Sequence, residues 1–356
     1  MTQIQKFRLI GFVLIFALLC SWLPHRLYTC DENRNTPKAQ EFLEETPDTL
    51  DGVFIGSSYV YSFWEPPIGW EDEGIAVYSY TASGLTVAAI RYIMADCLKT
   101  QPDALYILEI KSLLEDNPTA ADLHYLFDYM PFSANKLRAI HATSRFAGIS
   151  ADEEVELYVP LFLFHSNWEL VYYNTDYTSY GLKGAGNYPM FWERYPQTVS
   201  LEPTNPELRD DQIQVMRELL DFCDESGARV LFVATPSFVR SETYLAQLDA
   251  LGQMVRDRGY EVLNFLDPDA AVSMDPEADY YNAGHANVGG AVKFTDYFSR
   301  YLAERYGFAD KRGQPGWESW DASVEQYKSI IWEPLWEFNS PRYGPPPGLV
   351  AETSGT

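Results

Sequence analysis

Apolar runs of strand length alternate with stretches of helical spacing along most of this chain, and that alternation restricts its fold more than any other feature. The runs "VFIG" at 53–56, "GIAVYSYTAS" at 74–83, "ALYILEI" at 104–110, "ARVLFVATP" at 228–236 and "YEVLNFLD" at 260–267 read as strands. Between them, Val87, Ile90, Ile93, Met94 and Cys97 share one helical face, as do Ile213, Met216, Leu219, Leu220 and Cys223, with Gly227 as a stop. Two further helical stretches, 242–259 and 288–307, continue the pattern. Parallel strands need crossovers, and helices supply them. The pattern therefore predicts an α/β fold, a three-layer sandwich with a mainly parallel central sheet. A length of 356 residues and an apolar share of 46% allow a core of that size.

The rhythm breaks over residues 115–200. "DLHYLFDYMPFSANKLRAIHATS" has helical spacing, and "VPLFLFHSNWELVYYNTDYTSYGLKGAGNYPMFWERYP" is rich in aromatics and glycine. This stretch reads as a helical and aromatic-rich insertion acting as a cap over one edge of the sheet. The alternation resumes at Pro206.

The ends differ in kind. Lys6 and Arg8 precede the uncharged run "LIGFVLIFALLCSWLP", and no small-x-small cleavage site follows it. Residues 1–30 thus read as an uncleaved signal anchor, which predicts a single-pass cell-membrane protein with its bulk extracytoplasmic. Residues 31–50 read as a polar linker, 51–310 as the α/β domain, and 311–356 as a C-terminal extension with a Pro-rich tail. The net charge of −25 argues against nucleic acid as a partner. The four cysteines fit no zinc spacing, and Cys223 falls on an apolar helix face as a buried small hydrophobe. Scattered acidic residues show no calcium spacing. No metal or other cofactor is expected.

Two stretches carry the candidate chemistry. Gly56-Ser57-Ser58 ends the first strand, where open α/β sheets place their ligands. A small residue there lets the chain turn sharply and leave a hydroxyl exposed, with backbone N–H groups facing an oxyanion. The second is "DYYNAGHANVGGAVKFTDYF" at 279–298. His285 lies there in a small-residue loop at a helix start, where an imidazole can be presented as a base.

On these two elements the chain resembles the SGNH (GDSL-like) hydrolase superfamily, whose sheet is flavodoxin-like. Its nearer likeness is to the membrane-anchored bacterial branch that includes the D-alanyl transfer protein of teichoic-acid modification; alginate O-acetyltransferase accessory proteins are more distant. The resemblance implies that Ser58, last residue of the G-x-S element, is the nucleophile and His285 the base. It implies Gly84, in "TASGL", as an oxyanion donor beside the N–H of Ser58. Asn287 and Gly289 or Gly290 fit the x-N and glycine that continue the histidine element. Asn282 stands three residues before His285, where the family has aspartate. Either Asn282 or nearby Asp279 would orient the imidazole. "ILEIKSLLEDN" occupies the place of the family's oxyanion asparagine. His165, Trp168 and Asn287 are candidate substrate contacts, His165 and Trp168 being equally compatible with an aromatic cap core.

Three functions are compatible with these residues. The first is a membrane-anchored serine esterase or O-acyltransferase acting on acylated cell-surface polysaccharide or a teichoic-type polymer. The second is a catalytically weak accessory partner of a membrane-bound O-acyltransferase. The third is a surface carbohydrate-binding module.

Overall fold

In the computed structural model, residues 2–27, 38–160, 182–186, 207–238, 241–267, 270, 272 and 274–329 are described. Five strands form the central sheet: β1 (Gly52–Gly56), β2 (Val77–Thr81), β3 (Leu105–Glu109), β4 (Arg229–Ala234) and β5 (Glu261–Asn264). Their order is β2-β1-β3-β4-β5, and every pairing is parallel. All residues of β1, β2 and β3 are buried, which explains their near-continuous apolar sequences.

The pleat sorts alternate residues into two cores. Val53, Ile55, Tyr106, Leu108 and Phe232 join the core built with helices Val87–Cys97, Asp210–Ser226 and Glu242–Asp257. Phe54, Leu105, Ile107, Leu231 and Val233 face the opposite core, which helix Val288–Tyr306 fills with Phe294, Phe298 and Leu302. The expected α/β sandwich with a parallel centre is the observed fold. Cys97 and Cys223 are buried free thiols on the inward faces of their helices.

From β1 the chain adds β2 on one side and then returns to place β3 on the other. That reversal opens a crevice outside the carboxyl ends of β1 and β3, and the flavodoxin-like order puts the ligand-binding edge there.

The helical part of the 115–200 stretch forms Ala120–Phe127, Ala134–Ala147 and Ala151–Tyr158, each started by a side-chain cap from Thr119, Ser133 and Ser150. Leu123, Phe127, Ile140 and Leu157 from these helices join the same core as helix Val87–Cys97. The aromatic segments 161–181 and 187–206, assigned by sequence to the cap, lie outside the described residues.

Packing extends past both expected domain limits. Within the supposed linker, Lys38–Phe42 form a helical turn whose Ala39 and Phe42 are buried, with Phe42 edge-on to Tyr78 and Tyr80. Charges there are taken up inside the fold: Lys38 Nζ donates to Thr81 Oγ1 at 2.7 Å, and Glu41 accepts the Lys183 N–H at 3.0 Å. Beyond residue 310, helix Glu318–Tyr327 packs on helix Pro66–Glu73 through the stacked Trp70 and Trp317 and the buried Trp320. Helix Gln3–Leu27 exposes Ile4, Phe7, Phe12 and Phe16. Among the described residues no helix is long and apolar enough to cross a membrane.

Candidate active site

Gly56 is the residue that lets the site form. A Cβ there would stand 2.5 Å from Val60 Cγ2 and 2.7 Å from Glu109 Cβ, so only glycine allows β1 and β3 to close at the reversal point. The chain then leaves the sheet in one helical turn, Ser58–Tyr61, capped by Ser57, whose Oγ accepts from the Tyr59 N–H at 3.3 Å. Ser58, the first residue of that turn, is half-buried.

The opposing wall is a small antiparallel hairpin of β6 (Tyr280–Asn282) and β7 (His285–Ala286). Asn282 Oδ1 accepts the N–H groups of Gly284 and His285 at 3.0 and 3.1 Å and lies 2.8 Å from His285 Nδ1. Two backbone donors at one atom identify it as the amide oxygen, so the proton sits on Nδ1. Nε2 is left with its lone pair, and the Ser58 hydroxyl donates to it at 2.7 Å. The loop after β4 holds the hairpin: Ser237 Oγ and Phe238 N both donate to Ala283 O, at 2.9 and 3.1 Å.

Tyr59 and Lys111 complete the surroundings. The Tyr59 ring stacks on the imidazole with centroids 5.2 Å apart and an interplanar angle of 18°. It also lies so close to Gly284 that a Cβ there would be 2.6 Å from Tyr59 Cε1. Lys111 Nζ is 4.0 Å from the same ring's centroid and donates to Thr235 O and Pro236 O at 3.2 Å each. Glu109 accepts the N–H groups of Lys111 and Ser112 at 2.6 and 3.1 Å, and Glu115 accepts the Tyr244 hydroxyl at 3.1 Å.

Burial pushes Glu109 up to about 7, against the pull of Lys111, and pushes Lys111 down to about 8, against the pull of Glu109 and Glu115. For His285, loss of water and then the Lys111 charge bring the pKa down to about 3. The imidazole is neutral near pH 7, as a general base must be.

Ser58, His285 and Asn282 are thus brought together. Asp279 is turned elsewhere: its Oδ2 accepts from Asp275 N at 2.7 Å and pairs with Lys293 Nζ at 2.8 Å. Of the two candidates for orienting the imidazole, the neutral Asn282 is the one in contact. Gly84 sits in the turn after β2 at φ 65°, packed against the Asp122 side chain. Asn287, expected to touch substrate, is instead a helix cap. Its side chain accepts from Gly290 N at 3.0 Å and donates to Ala278 O at 2.7 Å, and the residue is 1% exposed, so its amide is committed. His165 and Trp168 lie outside the described residues. His124 is buried against Asp128. Among the described residues no cluster of His, Cys, Asp or Glu is placed to hold a metal ion.

The sequence reading missed Tyr59, Lys111 and the Ser237 latch. One signal was present: in "ILEIK", two charged residues interrupt an apolar strand at its carboxyl end, where the crevice opens.

No protein-family model matches the sequence, and no curated protein matches it significantly.

Proposed function

We propose that this chain is a serine esterase or O-acyltransferase with Ser58 as nucleophile and His285 as base. The observation that carries the reading is the line of contacts from Ser58 Oγ to His285 Nε2 and from Nδ1 to Asn282, with the tautomer fixed for proton acceptance. Ser58 Oγ attacks an acyl carbonyl while its proton passes to Nε2. The tetrahedral oxyanion takes hydrogen bonds from the Ser58 N–H and, in this proposal, the Gly84 N–H. Collapse expels the alcohol, which takes the proton back from Nε2 and leaves acyl-Ser58. Water or an acceptor hydroxyl then attacks, giving its proton to His285 and freeing Ser58. With water the outcome is hydrolysis; with a sugar or polymer hydroxyl it is transfer.

The resemblance to SGNH hydrolases supports acylated cell-surface polysaccharide or a teichoic-type polymer as substrate. The exposed apolar side chains between Ile4 and Phe16 support membrane anchoring through the N-terminal segment. The test is a serine-reactive fluorophosphonate together with p-nitrophenyl acetate hydrolysis. Labelling and turnover that vanish in Ser58→Ala and His285→Ala support the proposal; labelling that persists in Ser58→Ala, or none in the parent, overturns it. Recovery of full-length protein in the soluble fraction, in place of membranes, would remove the anchoring part.

Two observations favour a second reading. Asn282 cannot offset an imidazolium charge, and Lys111 opposes it. Both weaken the base in the step that matters, as expected of an accessory partner of a membrane-bound O-acyltransferase. That reading predicts no probe labelling and co-purification with such an enzyme.

A further inference from the structure

Around the site runs a closed chain of contacts that the Ser58–His285 reading does not use. Tyr59 follows the nucleophile directly, and its ring meets both the imidazole and Lys111 Nζ. Lys111 lies just beyond β3 and holds the carbonyls of Thr235 and Pro236 in the loop after β4. That loop, through Ser237 and Phe238, holds Ala283 O in the hairpin carrying His285. His285 Nε2 then returns to Ser58.

The circuit joins the ends of β1, β3 and β4 to the β6–β7 hairpin, and Lys111 is the charged tie among the residues named. A fully buried ammonium is expensive to desolvate, and packing alone would be served by an apolar side chain. The ammonium supplies what an apolar group lacks: donors for two carbonyls and a cation for a ring face.

We infer that Lys111 and Tyr59 are positioning residues for His285, with Lys111 tying the nucleophile turn to the loop that holds the histidine hairpin and Tyr59 serving as the plate against which the imidazole rests. The inference rests on the proposed role of the Ser58–His285 pair. It has an electrical consequence. The groups whose charge bears on this pocket are Lys111 itself, Glu109 at the end of β3, and Glu115 and Asp116 beyond it; Glu115 meets the hydroxyls of both Tyr59 and Tyr244, and Asn282 contacts the imidazole but is neutral. Lys111 disfavours the imidazolium. Replacing it by methionine removes that repulsion while burial still holds the ring below the ordinary histidine value, so the His285 pKa rises part of the way and the acid limb of the pH–rate profile moves to higher pH.

The test uses the full-length chain and two readouts. Histidine NMR follows His285 from pH 4 to 8 and needs no catalytic activity. In the parent the ring is neutral over most of that range; in Lys111→Met its protonation begins at higher pH than in the parent, and Lys111→Arg, which keeps the charge, restores the parent curve. Steady-state hydrolysis is read beside it. Lys111→Met lowers kcat on the order of 10–100-fold with KM little changed, and Tyr59→Leu falls further than Tyr59→Phe, which keeps the ring. Because Tyr59 is half-buried, its two variants decide the positioning role should Lys111→Met fail to fold. An unchanged His285 titration in folded Lys111→Met, or equal rates for Tyr59→Leu and Tyr59→Phe, overturns the inference. A parent without hydrolase activity sinks the esterase proposal alone, since the NMR arm still decides the role of Lys111.

Discussion

Among the described residues Lys38, Lys111, Lys136 and Lys183 are buried, and two of them, Lys183 and Lys111, do different work. Lys183 Nζ meets Glu45 at 2.8 Å and Ser319 Oγ at 2.9 Å, stitching three segments, 38–45, 182–186 and 318–327, onto the rim of the sheet. Lys111 Nζ ends on two carbonyls and an aromatic face, next to a serine–histidine pair. The first closes on an opposite charge, is neutralised there and serves architecture. The second keeps its field, which reaches His285. Burial of a charge is thus a poor marker of a functional site; the identity of its partners is a better one.

The comparison makes a separable claim: changes at the β1–β3 edge alter rate, and changes around Lys183 alter stability. The largest effect expected is in Ser58→Ala, which lowers acetyl-ester hydrolysis by on the order of 10⁴-fold or more while the melting temperature stays that of the parent. Parallel rate and melting measurements check it, and a large loss of stability would break the separation. Lys183→Met leaves the buried Glu45 carboxylate without its counter-charge, with the Trp320 indole N–H still donating to it, and is expected to cost about 3 kcal/mol in urea unfolding, with kcat per folded molecule retained.

Gly56→Ala tests the edge where the two roles meet. Its Cβ collides with Val60 and Glu109, so a loss of about 1–3 kcal/mol is expected together with slower turnover, because Ser58 shifts with the strand end. An alanine variant as stable as the parent would show that the close approach of β1 and β3 is not required. Asn282→Asp sharpens the electrostatic side. A carboxylate stabilises the imidazolium, so the His285 pKa rises, the acid limb moves to higher pH, and the plateau rate is kept or rises by up to about 10-fold. A large fall in the plateau rate would mean that the amide is needed for geometry instead. The smallest effect belongs to Asp279→Asn. It loses a partly exposed pair with Lys293, worth under about 1 kcal/mol, and hydrolysis is expected to match the parent. A rate collapse in that variant would move the orienting role from Asn282 to Asp279.

The sheet was legible because each strand is buried on both faces and therefore announces itself as an apolar run. Both ends of the candidate site were legible only as a pair: a G-x-S at a strand end or a histidine before a helix reads by itself as a turn or a cap, and it is the two together that carry the resemblance. The choice between Asn282 and Asp279 was not legible. It depends on the irregular register of the β6–β7 hairpin, which turns Asn282 toward the ring and leaves Asp279 to Lys293. Tyr59 and Lys111 were hidden for a different reason. A tyrosine in a helical turn reads as packing, and a lysine past a strand end reads as solvent-facing; it is the loop after β4, more than a hundred residues later, that buries the ammonium. Lys38–Phe42 read as linker because its charges mask Ala39 and Phe42, and the partner of Lys38 on β2 is distant in sequence. The Asn287 cap was readable: an asparagine directly before a helical stretch is a start signal.

The contact between Ser58 and His285 spans 227 positions of the chain. At ribosomal rates of 5–20 residues per second, the proposed nucleophile is therefore made about 10–45 s before its proposed base. Throughout that interval the emerging chain carries an ordinary hydroxyl at Ser58, with no imidazole to accept its proton. Under the proposed function, closing the β6–β7 hairpin onto the loop after β4 is the event that would switch the group on. Reactivity toward a serine probe would then report completed assembly of the molecule, and a chain truncated before residue 279 would be silent however well its first three strands had folded.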